Sequence, residues 1–423
     1  MDATVLIINI IFLILSSLLI YPSVKRIVKY QSFSMADYVI ILIAVFNCIP
    51  VFFDIAFGVP MYVYWYKPFE SVICDFNVCV IYNFYVLITL IALQLYARSI
   101  RHKRGIQATY EGVCLSPYRK PIVDVALSVL PVSYFIYKYG IAAFAGYTML
   151  GRRGIQSGDS QLINQMIILS IYIFATRFFS RPRNKREYIG MFIFFFLLIW
   201  LNGKRYMIVT IGEVVFYLYQ MTKRRSEKRA SLTPIIIIGV LGFVLFSAFY
   251  ITSIKVNTAS QYLYGTLRVD FGRDDVTKYV IHKVLIKHEP ILDYPGQTVL
   301  ADILIFVPRS IWPGKPYPHY RYLTASILGV STTKIPAGTT PSIFEMNICN
   351  FGWMGIIATM IVLIILCNTA DKANELSIKV IILLIITNLL SQALDAVMVL
   401  LPVAVVLIIS RKVRFTAHHS IKG

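Results

Sequence analysis

Several cations of this chain stand where membrane topology does not call for them, and their types suit phosphate. Lys204 and Arg205 sit in "WLNGKRYMIVT", Arg152 and Arg153 in "MLGRRGIQSGD", and Arg268, Arg273, Arg309, Lys315 and Arg321 are spread over residues 254–341. Guanidinium forks match phosphate oxygens bidentately, so a lipid diphosphate at headgroup level fits this set. Carboxylates at Asp270, Asp274, Asp275, Asp302 and Glu345, with imidazoles at His282, His288 and His319, offer a base for the same cavity. A base plus cations that stabilise a departing diphosphate is the minimum for moving a sugar from a lipid carrier to a hydroxyl. Such a transfer needs no metal and no nucleotide. The chain has neither a dinucleotide-binding glycine pattern nor a P-loop, so no cofactor is expected.

Membrane helices have to build that cavity. Hydrophobic residues make up 57% of the chain and charged ones 15%, against roughly 25% charged in soluble domains. Runs of about 20 apolar residues recur, the length that crosses roughly 30 Å of hydrocarbon. The expected class is an all-α polytopic membrane protein; a β-barrel needs short alternating strands instead. Ala3 to Ile20 lacks a basic leader and reads as a permanent helix. The net charge of +20 fits basic cytoplasmic loops facing anionic headgroups, and no nucleic acid is expected. The six cysteines form no CxxC pair and no metal-spaced Cys/His cluster; Cys74 and Cys79, five apart on one helix, point in different directions.

Spans are expected near 3–22, 36–57, 71–97, 121–139, 161–179, 188–203, 206–221, 233–253, 342–366, 378–391 and 395–410. Basic clusters then alternate: Lys25, Arg26 and Lys29; Arg98 to Arg104 with Arg119 and Lys120; Arg181 to Arg186; Lys223 to Arg229; and Arg411 to Arg414. All fall on one side if the N-terminus is outside and about eleven spans are present. Residues 188–221 as one helix would measure about 51 Å, too long for a bilayer, and would bury Lys204 and Arg205 at mid-span. A hairpin turning at Asn202–Gly203 avoids both problems and puts the two cations on the outer face. The same length argument turns residues 377–410 around Ser391–Asp395. Three regions follow: helices of 1–253 with the hairpin 188–221, one large outer loop at 254–341, and terminal helices with a basic tail at 342–423.

Within the outer loop, "RVDFGRDDVTKYVIHKVLIKHEP" has a helical apolar rhythm at Val276, Val280, Leu285 and Ile286. Val299 to Val307 is too short to span and reads as an interfacial or re-entrant helix, with Trp312 and nearby tyrosines at headgroup depth. Pro308, Pro313, Pro316 and Pro318 favour a stiff extended segment displaying Arg309, Lys315, His319 and Arg321. Asp274 and Asp275 read as solvated helix charges. Glu345, placed inside the first turns of a span, reads as functional because a carboxylate there is costly. His418 and His419 belong to a polar tail without a role.

The stretches "LNGKRYMIV", "FVPRSIWPGKP" and "TTPSIFEMNICNFGWMG" resemble the Wzy-type O-antigen and capsule polymerases, enzymes that polymerise oligosaccharide repeat units. The resemblance implies a GT-C-like glycosyltransferase of the bacterial cytoplasmic membrane, its site facing the periplasm or exterior. It implies transfer of a growing glycan from undecaprenyl diphosphate onto the next lipid-linked repeat unit. In that scheme Arg205 matches the cation of the family's hairpin, and Arg309 and Lys315 the basic positions of its proline-rich stretch. Glu345 matches an acidic position ahead of Asn350, Phe351 and Gly352, and Arg152 stands for an arginine of another outer loop. Arg205, Arg152, Lys204, Arg309 and Lys315 are thus expected at the diphosphate. Glu345, or else Asp270 or His319, is expected as base, with Arg268, Arg273 and Arg321 on glycan or diphosphate. Expected partners are the lipid-linked oligosaccharide, membrane lipid and a chain-length regulator protein. A lipid-linked oligosaccharide flippase and an enzyme attaching finished glycan to another acceptor are the alternatives.

Overall fold

The computed structural model describes residues 2–29, 34–63, 66–104, 121–146, 157–180, 184–202, 206–225, 260–305, 307–335, 338–373, 375–392, 394–398 and 400–405. These residues form helices and no β-strand. Among the described residues, five helices are long and apolar enough to cross a bilayer: Ala3–Val28, Met35–Phe57, Phe76–Arg101, Ile122–Tyr139 and Met354–Lys372. Leu162–Phe178, Met207–Met221 and Leu376–Ser391 are shorter apolar helices. The span expected near 233–253 lies outside the described residues. By contacts the chain divides into two units. One comprises Met1–Ile106, Lys228–Ile365 and Thr387–Asp395; the other comprises Gln107–Glu227, Leu366–Ile386 and Ala396–Gly423.

In the first unit, helix Ala3–Val28 is polar inside and greasy outside. Ile7, Ile11, Ile14 and Leu18 are exposed, while Asn9, Ser16, Ser23 and Arg26 are buried. Hydrocarbon offers polar groups no partners, so each must find one on a neighbouring helix. Asn83 Nδ2 donates to Asn9 Oδ1 at 3.1 Å, and Arg26 Nη2 donates to Gln94 Oε1 at 3.0 Å. These two contacts lie at opposite ends, so helices Ala3–Val28 and Phe76–Arg104 run parallel. The intervening chain returns through Met35–Phe57. Lys25 and Arg26 therefore share an end with Arg98 and Arg101. Arg26, expected only to set topology, is also buried against Asp37, its Nε donating to Oδ1 at 3.0 Å.

The returning span is not a uniform helix. Met35–Ile43 passes through a π-helical stretch, Ala44–Cys48, into Ile49–Phe57. Pro50 explains much of this: it has no N–H to give to the carbonyl of Phe46, four residues earlier. That carbonyl instead accepts the backbone N–H of Arg273 at 3.1 Å. The neighbouring Asn47 carbonyl accepts the Tyr82 hydroxyl at 2.9 Å. A wide turn thus becomes an anchor for the segment that follows residue 260.

Two expected spans are broken. The one at 71–97 divides into Pro68–Ile73 and Phe76–Arg104, because Asp75 caps the second helix by accepting the Val78 N–H at 3.0 Å. The one at 342–366 divides into Ile343–Phe351 and Met354–Lys372, with Gly352 at φ +57° making the corner. Glu345 therefore lies on a separate short helix ahead of the apolar span, not inside it.

The second unit contains helices Lys185–Asn202 and Tyr206–Arg225; the turn expected between them lies outside the described residues. Asn202 Nδ2 donates to Asn164 Oδ1 at 2.7 Å, near the start of helix Ser157–Phe178. At the opposite end the rings of Phe178 and Tyr188 meet at 5.3 Å. The two helices are antiparallel, and residue 202 shares an end with residue 164.

Helix Ser260–Phe271 crosses the backbone at Met61 so closely that a β-carbon on Gly265 would stand 2.1 Å from the Met61 carbonyl oxygen. Gly265→Val is expected to cost about 1–3 kcal/mol or more through overpacking. A lowered melting midpoint of the detergent-solubilised protein would report it; an unchanged midpoint would contradict this crossing.

Candidate functional site

The most concentrated charge in the described residues is buried in the first unit, where helices Ser260–Phe271 and Asp274–Val280 meet the end of Ile49–Phe57. Arg268 is its centre. Its Nε donates to Asp54 Oδ1 at 2.9 Å and its Nη2 to Asp54 Oδ2 at 2.6 Å. The other edge of the guanidinium meets Asp274, Nη2 donating to Oδ2 at 2.6 Å and Nη1 to Oδ1. Asp275 Oδ1 lies 2.8 Å from Nη1. Lys278 Nζ stands 3.1 Å from Asp274 Oδ2 and 5.1 Å from the centre of the Tyr82 ring. Tyr264 donates to Asp54 Oδ1 at 2.7 Å, and Tyr62 to Asp275 Oδ2 at 2.6 Å.

Arg268, Lys278 and the three carboxylates are all buried, the most exposed of them at 3%. Three acids face two cations, so the fully ionised set carries an excess negative charge in a dry place. Burial drives Asp275 up, and the neighbouring carboxylates add to that against the pull of Arg268, from an ordinary 3.8 to about 7. Asp274 goes the other way. Burial opposes its charge, but Arg268 and Lys278 together bring it to about 2. Burial also works against Lys278, and Asp274 beside it more than offsets that, holding the ammonium above its ordinary value. Burial and its acidic neighbours thus push Asp275 toward the protonated form, whereas its cations hold Asp274 ionised.

Asp274 and Asp275 thus correct the expectation of solvated charges: the whole run from Asp274 to Ile281 is buried. Arg268 does not present itself to a glycan, since four of its N–H groups are hydrogen-bonded to Asp54 and Asp274. Arg273 is likewise buried, its Nε donating to the Ser391 carbonyl at 3.0 Å and its Nη1 to the Gly272 carbonyl at 2.6 Å. Asp270 lies on the same helix, with its side chain outside the described residues.

Glu345 is the third residue of a capping box on Ser342. It accepts from the Ser342 backbone N–H, from Ser342 Oγ at 2.5 Å and from Thr277 Oγ1 at 2.9 Å. Burial pushes its carboxyl to about 7 against the pull of those donors. His319, expected on display, is buried at the first turn of helix His319–Leu328. Its Nδ1 lies 3.2 Å from Thr298 Oγ1, and burial lowers the imidazole to about 4, so it is neutral at physiological pH.

The proline-rich segment divides the remaining expected cations. Lys315 spends its ammonium on carbonyls at the end of helix Gln297–Ile303, donating to Leu304, Ile305 and Val307 at 3.0, 2.7 and 2.9 Å. Arg309 donates to the carbonyls of Lys315 at 2.5 Å and Pro316 at 3.1 Å, and remains exposed. Its guanidinium lies 4.7 Å from the centre of the Tyr317 ring, and that of Arg321 lies 4.8 Å from the same ring. Neither guanidinium pairs with a carboxylate among the described residues. Arg152, Lys204 and Arg205 lie outside the described residues.

Asp54, Lys278, Tyr62 and Tyr264 were absent from the expected site. Asp54 had a signal, since a carboxylate in "VFFDIAF" is an ionisable group in an apolar span. Lys278 was also legible, four residues after Asp274 on a helix. Among the described residues no cluster of His, Cys, Asp and Glu could hold a metal ion. No family model, curated protein or solved structure matches the chain.

The proton on Asp275 sets a pH dependence. Its folded value lies above the ordinary one, so the stability it contributes is complete below about 4 and is lost as pH rises through about 7. Asp275→Asn, which mimics the protonated acid, is expected to flatten the fall in melting midpoint between about pH 5 and 8. Parallel profiles for the two proteins would mean that Asp275 carries no such proton.

Proposed function

We propose that this chain is a glycosyltransferase of GT-C-like architecture with about eleven spans, which polymerises lipid-linked oligosaccharide repeat units at the outer face of the bacterial cytoplasmic membrane. The donor glycan leaves undecaprenyl diphosphate and joins a hydroxyl of the incoming repeat unit. The observation that carries the reading is the pair of guanidiniums, Arg309 and Arg321, set on Tyr317 without a carboxylate to neutralise them. Two cations on one ring repel each other until an anion joins them, and a diphosphate is the anion this chemistry supplies. The tyrosine face beside them also suits stacking on a sugar.

Lys204 and Arg205 are assigned to phosphate binding on their sequence pattern alone. The start of helix Ser157–Phe178, which follows the Arg152 segment, shares an end with Asn202. Glu345 is assigned the acceptor's proton, and a carboxyl at about 7 is suited to taking one at neutral pH. Its three hydrogen bonds must rearrange for that to happen.

The test is a gel of surface glycan from a host lacking this gene, beside one in which the intact gene is restored. Loss of the long-chain ladder with single repeat units still exported is the expected result. Disappearance of all surface glycan would favour the flippase, and a normal ladder left on its lipid carrier would favour the attachment enzyme. Arg205→Ala and Arg309→Ala are each expected to abolish long chains while the protein stays in the membrane at its usual level.

A further inference from the structure

We propose that Leu300, Ile303, Leu304 and Ile311 dock on the lipid leaflet beside the head of the span Met354–Lys372. All four are exposed on the loop segment 297–311, Ile303 at 64% and Ile311 at 75%. Exposed aliphatic side chains so close together in a water-facing loop mark an interaction surface. Their position says what covers them. Gly296 N–H donates to the Asn350 carbonyl at 3.1 Å, and Thr298 N–H to Asn350 Oδ1 at 3.2 Å. Asn350 stands just ahead of the corner that opens the span at Met354. Phe351 and Trp353 are exposed at that same corner, Trp353 at 53%, and the Phe351 ring lies 3.9 Å from where a β-carbon on Gly296 would be.

A span that begins at Met354 brings its first residues to the boundary between headgroups and acyl chains, where tryptophan and phenylalanine collect. The helix Gln297–Ile303 is hydrogen-bonded to that boundary, so its exposed side chains face the same medium. The segment is also held in shape. Lys315 ties the carbonyls of Leu304, Ile305 and Val307, and Arg309 ties those of Lys315 and Pro316. The partner is the bilayer surface itself, whose acyl chains cover the isoleucines.

This inference stands on the geometry of the loop and does not depend on the polymerase reading. The test therefore needs no turnover. A photoreactive p-benzoylphenylalanine is placed at Ile303, at Ile311 and, as a control, at Glu289, which is exposed and polar. The full-length protein is reconstituted in phosphatidylcholine vesicles containing alkyne-tagged phosphatidylglycerol and irradiated. Lipid adducts at 303 and 311 with none at 289 are the expected result. A chain–chain adduct at 303 or 311 would show that a second copy covers the face, and would overturn the proposal. Absence of lipid adducts at both positions, or equal labelling at 289, would overturn it as well. All three positions are exposed, so the variants keep the fold, and their melting midpoints check this.

Discussion

One guanidinium in a dry place organises the first unit. Arg268 cannot be left alone there: taking an ion out of water costs several kcal/mol after relaxation, and only partners of opposite charge in good geometry offset it. Asp54 comes from a membrane helix and Asp274 from the segment between distant spans, so the ion joins parts of the chain that are 214 and 6 residues away. Removing Arg268 would leave Asp54 without its cation and Asp274 with Lys278 alone, and broken buried pairs of this kind cost about 3–5 kcal/mol. The segment 260–286 is therefore not a solvated loop. Its helix Asp274–Val280 is buried on every side, a state open to it only because each charge has a partner.

A second consequence concerns how the cations of the expected site divide. Arg268 and Arg273 have their donors absorbed by carboxylates and carbonyls, and Lys315 has closed the end of a short helix. Arg309 and Arg321 differ. Both keep donors and carry no counter-ion among the described residues. Loop position is the same for both groups of arginines, so what separates them is burial: Arg268 and Arg273 are buried, whereas Arg309 is exposed and Arg321 half-exposed.

Helix positions were largely legible in the sequence because apolar run length is a direct consequence of bilayer thickness. The break at Gly352 was not read, although a glycine ahead of Trp353 can take the positive φ that ends a helix. The cluster around Arg268 was the larger omission. Asp274 and Asp275 look like surface charges when only neighbours in sequence are considered, and their main partner is set by tertiary structure. Glu345 was singled out for its cost, but the same cost applied to Asp54 and was not followed there. Lys315 could not have been assigned, because its partners are backbone carbonyls that no side-chain pattern reveals.

The π-helical stretch Ala44–Cys48 has a further meaning for the register of its span. One extra residue in a turn rotates everything beyond it by about 100° relative to an unbroken α-helix. Asp54 lies beyond that point, so the wide turn decides which way its carboxylate faces. Without the insertion, a helical wheel drawn from the start of the span would aim Asp54 about a quarter-turn away from Arg268. The irregularity works as a phase shifter: a span whose first half is set against one group of neighbours has its second half re-aimed toward another. A deletion of a single residue there would change no charge and no overall hydropathy, and would still unmake the ion cluster.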